Sequence, residues 1–165
     1  MFMIKMSKYH MQKLERQIKD VEIINNILNN GKYASISMCR DNEPYIVTLS
    51  YGYDILKNSL YFHSAKEGLK FEFIESNPLV CGTIIEDKGY NINQCSHAYR
   101  SVVFWGEMNL IHDIKEKKHG FEIMIDQLEE DPDKIKKRFL ENENSYQNTS
   151  ILRLDIKYIT GKTSE

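Results

Sequence analysis

The chain has little proline, little cysteine and almost no net charge, and each shortage narrows what it can be. Its 165 residues include 3 prolines and 3 cysteines, and its charges balance to −2. Cys39, Cys81 and Cys95 are odd in number and scattered, which argues against a disulfide framework and for reduced thiols in a cytoplasm. A near-neutral chain has no electrostatic reason to seek nucleic acid or an anionic membrane. The longest apolar runs are strand-sized, so no segment is expected to span a bilayer. Residues 1–8 lack the apolar stretch and small-residue cleavage site of a signal peptide. Cys95 and His97 supply only two metal ligands with no second pair at zinc-finger spacing, so no metal is expected. The length suits one domain, 1–165, with a real core.

What is present reads as strands with a few helices. Residues 1–19 have no clear stripe and are expected to form an arm on the body. Asp20 reads as an N-cap, followed by Val21, Ile24, Ile27 and Leu28 on one helical face, with Gly31 as a left-handed stop. Alternating, β-prone stretches at 33–39, 44–52 and 59–63, separated by turn residues, predict a three-stranded meander. A short helix is expected over 66–75 with Leu69, Phe73 and Phe71 inward, ending before Asn77 and Pro78. A buried-type strand follows at 79–85, then a polar loop at 86–94 and a long strand at 99–111. Asp113 caps a helix through about Leu128. Asp131 and Pro132 open another, with Pro where its missing donor costs nothing. Residues 142–149 read as polar loop, and 151–159 alternates strictly as the last strand. Six strands joined mostly by hairpins exceed what one open sheet hides, and closure into a small barrel removes the edges. The fold class expected is mainly β with flanking helices, a six-stranded antiparallel split barrel.

Two stretches carry chemistry. In 61–70 (Tyr-Phe-His-Ser-Ala-Lys-Glu-Gly-Leu-Lys) a strand ends in His63 and Ser64, a turn holds Gly68, and Lys70 opens a helix. In 99–106 (Tyr-Arg-Ser-Val-Val-Phe-Trp-Gly) Arg100 and Ser101 begin an apolar strand. Two cations, hydroxyls and helix-start N–H groups are what a phosphate ester needs. The surrounding aromatics suit a flat ring attached to it. The same residues also admit plainer readings. Lys70 can be a solvated lysine, Arg100 a surface or interface arginine, His63 a rim histidine and Trp105 a core or interface ring. The lysine runs at 115–118 and 134–138 are most simply solvated helix faces, as is His119 on its helix.

In order and spacing these landmarks resemble the pyridoxamine-5′-phosphate-oxidase-like superfamily of flavin-binding split barrels, and within it the nitroimidazole-resistance (Nim) branch. The resemblance runs from about residue 20 to 162. It rests on 30–34 (Asn-Gly-Lys-Tyr-Ala), 44–53 (Pro-Tyr-Ile-Val-Thr-Leu-Ser-Tyr-Gly-Tyr), 60–70, the pair Asn77 and Pro78, 99–102 and 159–162 (Ile-Thr-Gly-Lys). It implies a homodimer with FMN at the subunit interface. Lys70, with Arg100 or a neighbouring hydroxyl, would hold the phosphate, and Ser101 would meet the cofactor. Thr48, Leu49, Ser50 and Tyr51 would present backbone groups to the isoalloxazine edge. His63 and Ser64 would line the phosphoribityl region, with His63 also the catalytic candidate. Tyr51, Tyr53 or Trp105 would stack on a small acceptor. The oxidases carry an Arg-x-x-Leu-Leu-Lys segment on the second strand, whereas 47–50 here has no cation. Their C-terminal substrate segment is also unrecognisable, so pyridoxamine-phosphate oxidation is not expected. The implied activity is an FMN-dependent oxidoreductase moving electrons from a nicotinamide donor to a small acceptor such as a nitroaromatic. The alternatives are a non-catalytic protein of the same fold binding FMN, a deazaflavin or haem (His63, His97 or His112 as axial ligand), or a dimeric interaction protein without cofactor.

Overall fold

A computed structural model describes residues 11–142, 144–147 and 149–164. The first ten residues of the expected arm lie outside that range. The rest of the arm is a 3₁₀ turn, Leu14–Arg16, and a two-residue strand β1 (Gln17–Ile18) paired with the end of the chain, Gln17 opposite Lys162.

Helix α1 (Val21–Asn30) starts where its cap predicts: the Asp20 carboxylate accepts from the Glu22 N–H at 2.8 Å. Ile24, Ile27 and Leu28 are buried, while Val21 is exposed, so the inward face is narrower than its periodicity suggests. Gly31 is needed for a different reason than expected. Its backbone is extended, with φ −69° and ψ 145°, not left-handed. What it provides is space, since a Cβ there would collide with the Tyr51 hydroxyl and lie 2.8 Å from the Ile84 side chain.

The strands follow as β2 (Tyr33–Arg40), β3 (Glu43–Ser50), β4 (Gly52–Asp54), β5 (Ser59–Ser64), β6 (Leu79–Asn91), β7 (Ser96–Ile111) and β8 (Ser150–Ser164). Helix α2 (Leu69–Ser76) lies between β5 and β6. Helices α3 (Ile114–Leu128), α4 (Pro132–Leu140) and α5 (Asn144–Gln147) lie between β7 and β8. All pairings are antiparallel, in the order β3-β2-β6-β7-β8-β5-β4, with β1 on β8. The six long strands are the six expected, and β1 and β4 are short additions. Only one residue, Tyr51, separates β3 at one end of this order from β4 at the other. The two ends of the sheet are therefore brought together by the chain itself, and the sheet is curled without its hydrogen-bond ladder closing, which is a split barrel.

That seam corrects the meander. The stretch 44–52 is broken at Tyr51: its first part pairs with β2, its second with β5, and β3 and β5 are not ladder partners. The polar segment 86–94 is mostly strand, because β6 and β7 continue as a hairpin with Tyr90 opposite His97 and a bulge between Asp87 and Gly89. Polarity there reflects an arm with little to bury against. The segment 142–149 contains α5, whose Tyr146 is buried, and Leu69 is exposed at the start of α2.

The main core fills the curled sheet beneath α1, with Leu28, Ile36, Phe62, Phe104 and Leu154 fully buried. At about 1.5–3 kcal/mol per fully buried large side chain, this cluster dominates stability. A second cluster, Tyr61, Ile111, Met124 and Ile151, joins α3 to the opposite face of β5 and β8. Gly31→Ala should push Tyr51 off its seat and lower stability by about 1–3 kcal/mol through overpacking. A urea midpoint unchanged from wild type would contradict this.

Candidate functional site

The turn from β5 into α2 brings together groups of the kind an anion requires. Gly68 sits at φ +142°, a conformation L side chains rarely adopt, and precedes the first turn of α2 with no side chain capping it. The first N–H groups of α2 are thus available to a ligand. The Lys70 ammonium folds back to the same place, because a Cβ built on Gly68 would lie 3.6 Å from Lys70 Nζ. A lysine beside the positive end of a helix is held against its own electrostatics unless a negative group joins it. At the end of β5, Ser64 is 8% exposed and its Oγ has no hydrogen-bond partner. A buried hydroxyl without a partner is costly and is usually reserved for something that binds.

A second set of candidates shares the outer face of the sheet. Register places Ile46, Ser37, Cys81, Trp105 and Tyr158 in one row across β3, β2, β6, β7 and β8. The next row is Thr48, Ser35, Thr83, Val103 and Thr160, where the Thr48 and Ser35 hydroxyls are 2.9 Å apart. Ser50 and Ser101 follow at the next level, opposite Tyr33 and Ile85. The face is apolar for a surface: Ile46 is 65% exposed, Leu79 61% and Ile85 63%. Trp105 and Tyr158 border a groove of about 370 Å³ on it. Beside this face, among the described residues β3 pairs with β2 alone and is an edge strand, so its far edge carries backbone groups that no described strand takes up.

Other expected partnerships are not formed within one chain. Arg100 stands opposite Glu86 and Thr163, whereas His63 is level with Ile151, whose partner on β7 is Ile111. From Arg100 to Ile111 is eleven residues of β7, about 36 Å of strand at about 3.3 Å per residue. Arg100 and the Lys70 turn therefore occupy opposite ends of the long strands, so the two cations do not meet at one spot within a single chain. His63 and Ser64 are also separated. As consecutive strand residues they point to opposite faces. Ser64 lies on the side of β5 that carries Phe62, and His63 lies on the side of Tyr61 and borders a cavity under α3 and α4. Tyr51 and Tyr53 are buried, and the Tyr51 hydroxyl donates to the Leu28 carbonyl at 2.6 Å. Neither ring can stack on a ligand. Leu49 packs against the core, which leaves its backbone alone on the edge.

A family model described as pyridoxamine 5′-phosphate oxidase matches residues 20–163. The chain belongs to the pyridoxamine 5′-phosphate oxidase-like family. Among solved structures it is similar to a candidate 5-nitroimidazole antibiotic resistance protein from Bacteroides thetaiotaomicron, with 24% identity over 95% of each chain and a TM-score of 0.72. It is similar to the flavocytochrome Anf3 from Azotobacter vinelandii, at 17% identity over 98% of this chain and 76% of that one, with a TM-score of 0.78. A FAD-binding protein from Mesorhizobium loti matches at 21% identity over 91% of this chain and 98% of its own, with a TM-score of 0.66. No curated protein sequence matches. Among the described residues no helix is long and apolar enough to cross a membrane.

The face of α3 expected to be solvated instead carries a polar cluster. Glu116 Oε1 accepts from the Tyr61 hydroxyl at 2.7 Å, Arg153 Nη1 at 2.7 Å and Lys57 Nζ at 3.1 Å. Arg153 Nη2 also donates to Asp155 at 3.0 Å, and His119 Nε2 lies 2.6 Å from the buried Asp54 carboxylate. Glu116 and His119 are three apart on α3, so they share a face. That spacing was the available signal, but their partners come from β4, β5, β8 and the turn before β5. The cluster clamps α3 onto the sheet. Burial opposes ionisation of Glu116, but the bonds from Tyr61, Arg153 and Lys57 outweigh it and hold the carboxyl at about 2, below its ordinary 4.5. Burial, then the Glu116 bond, pushes the Tyr61 phenol up. The depressed carboxyl contributes stability that is full above about pH 4.5 and is lost as pH falls through about 2. Glu116→Gln should cost about 1–2 kcal/mol at pH 7, the low end for charge-assisted bonds because the cluster is partly exposed. Urea unfolding of both proteins at pH 7, 4 and 2.5 should show that gap closing in acid. A gap that stays constant with pH would remove Glu116 from this role.

Proposed function

We propose that the protein binds FMN and works as a flavin-dependent oxidoreductase of the Nim branch, taking electrons from a nicotinamide donor and passing them to a small acceptor such as a nitroaromatic. The observation that carries this reading is the turn after β5, where the partnerless Ser64 hydroxyl, the uncapped start of α2 and Lys70 fit a phosphate monoester. When bound, FMN supplies the redox chemistry, and the protein supplies position and electrostatics. The free edge of β3 would offer backbone donors and acceptors to the polar rim of the ring. Thr48, Ser50 and Ser101 offer hydroxyls on the adjoining face, and Trp105 with Ile46 keeps water from it.

The distance between the Lys70 turn and the end of β7 fits a homodimer better than a single chain. We read the flavin as shared, its phosphate held by the β5–α2 turn of one subunit and its ring approached by Ser101, Trp105 and the Arg100 end of the other. The exposed apolar rows on the outer face are the surface such a dimer would cover, since a monomer gains nothing by displaying them.

Fresh protein should absorb near 450 nm, roughly, as oxidised flavin does. Lys70→Ala and Ser64→Ala should each weaken FMN binding about ten- to a hundredfold, the value of one charge-assisted or buried contact. Ile46→Arg should leave the barrel folded but give single chains by light scattering and lose flavin with the dimer. A Soret band in place of the flavin spectrum would favour the haem-binding alternative. A colourless protein that takes up no FMN at micromolar concentration would end the flavin reading.

A further inference from the structure

On the helical side of β5, a cavity of about 380 Å³ lies between α3, α4 and α5. Its wall is largely apolar: Phe121, Met124 and Leu128 from α3, Ile135 and Phe139 from α4, and Tyr146 from α5. Among the described residues, few polar side chains reach it. His63 stands at the end of β5, Thr149 lies just before β8, and Glu129 lies just past the end of α3. The strand alternation that sends Ser64 to the other face is what delivers the imidazole here. Phe139 remains 46% exposed although it lines this space, while Ile125, Leu140 and Tyr146, which also line it, are packed together as a buried cluster. Helix α4 carries Lys134, Lys136, Lys137 and Arg138 among its apolar residues, and Lys136 pairs with Asp126 of α3. The helix is thus held to α3 by a surface ion pair and by the buried Leu140, while Phe139 borders the open part of the cavity.

We propose that this cavity is a binding site for a small, neutral, planar aromatic molecule of one or two rings bearing a hydroxyl or carbonyl group. The volume lies in the range of small-molecule pockets, and the lining matches their pattern of apolar walls with a few convergent polar groups. The wall disfavours a charged ligand, which would lose its hydration without an equivalent partner, and Glu129 disfavours an anion in particular. A neutral hydroxyl or carbonyl is satisfied by His63, which can donate or accept according to its tautomer, and by the Thr149 hydroxyl. Phe121, Phe139 and Tyr146 provide ring faces and edges for an aromatic body. The inference rests on this cavity alone and does not depend on the flavin reading.

The test uses 2-naphthol as probe and the full chain. Titration followed by protein ¹H–¹⁵N and methyl shifts should show saturable one-to-one binding in the ~50 μM–1 mM range, as expected for so few heavy atoms. The shifts should centre on the methyls of Met124, Leu128 and Ile135 and on the His63 ring. Leu128→Trp, which fills the space, should weaken binding at least about tenfold, and His63→Ala about three- to tenfold, the loss of one neutral hydrogen bond. Ile135→Phe is a milder filling variant should the first not fold. No saturable binding below about 2 mM, or shifts centred on Trp105 and Tyr158 of the outer face, would overturn the proposal. FMN uptake by the same sample is read separately by its absorbance. Probe binding without flavin uptake would fault the flavin reading alone, and flavin uptake without probe binding would fault this one alone.

Discussion

A single buried residue holds the two ends of the sheet together. Tyr51 is all that separates an edge strand at one end of the order from the strand at the other end, and its side chain is fully buried. Its hydroxyl donates to the Leu28 carbonyl in the last turn of α1, and Gly31 leaves room for it. A buried phenol needs that partner, so helix, seam and sheet curvature are bound to one hydrogen bond and one missing methyl group. Because the seam is crossed by chain and not by ladder, β3 keeps a free edge.

Strand alternation then distributes the chemistry. On β5 it sends Ser64 and His63 to opposite faces, one to the side of the buried Phe62 and the other to the cavity below α3 and α4. On β3 and β7 it sends Thr48, Ser50, Ser101 and Trp105 outward and their neighbours inward. Polar groups that lie adjacent in the sequence thus serve different surfaces, while groups fifty residues apart share one. The rows on the outer face join hydroxyls with exposed aliphatics, a combination suited to a face that meets both a second subunit and a cofactor.

The helical layer after β7 is held by polar contacts as much as by packing. Glu116 collects three donors on one oxygen, and His119 meets Asp54 on the hairpin below. These bonds fix α3 against β5 and β8 while α4, tied through Lys136 and Asp126, stands off far enough to leave a cavity.

Much of the architecture was legible without coordinates. Capping carboxylates at Asp20, Asp113 and Asp131 marked three helix starts because the chemistry of a cap is local. The six long strands announced themselves by alternation, and the turn around Gly68 with Lys70 was visible as a possible anion cradle. The order of these landmarks also pointed to the family. What was not legible depended on which strand lies beside which. The break at Tyr51, the extension of β6 and β7 into the polar hairpin, and the clamp around Glu116 all draw on residues far apart in the chain. The separation of Arg100 from Lys70 is of the same kind, because a sequence shows two cations near strand ends but not which ends meet. Local patterns determined the elements and the types of group available. Only the register of the curled sheet decided which groups face one another, because register is set by long-range pairing and by the burial of one face.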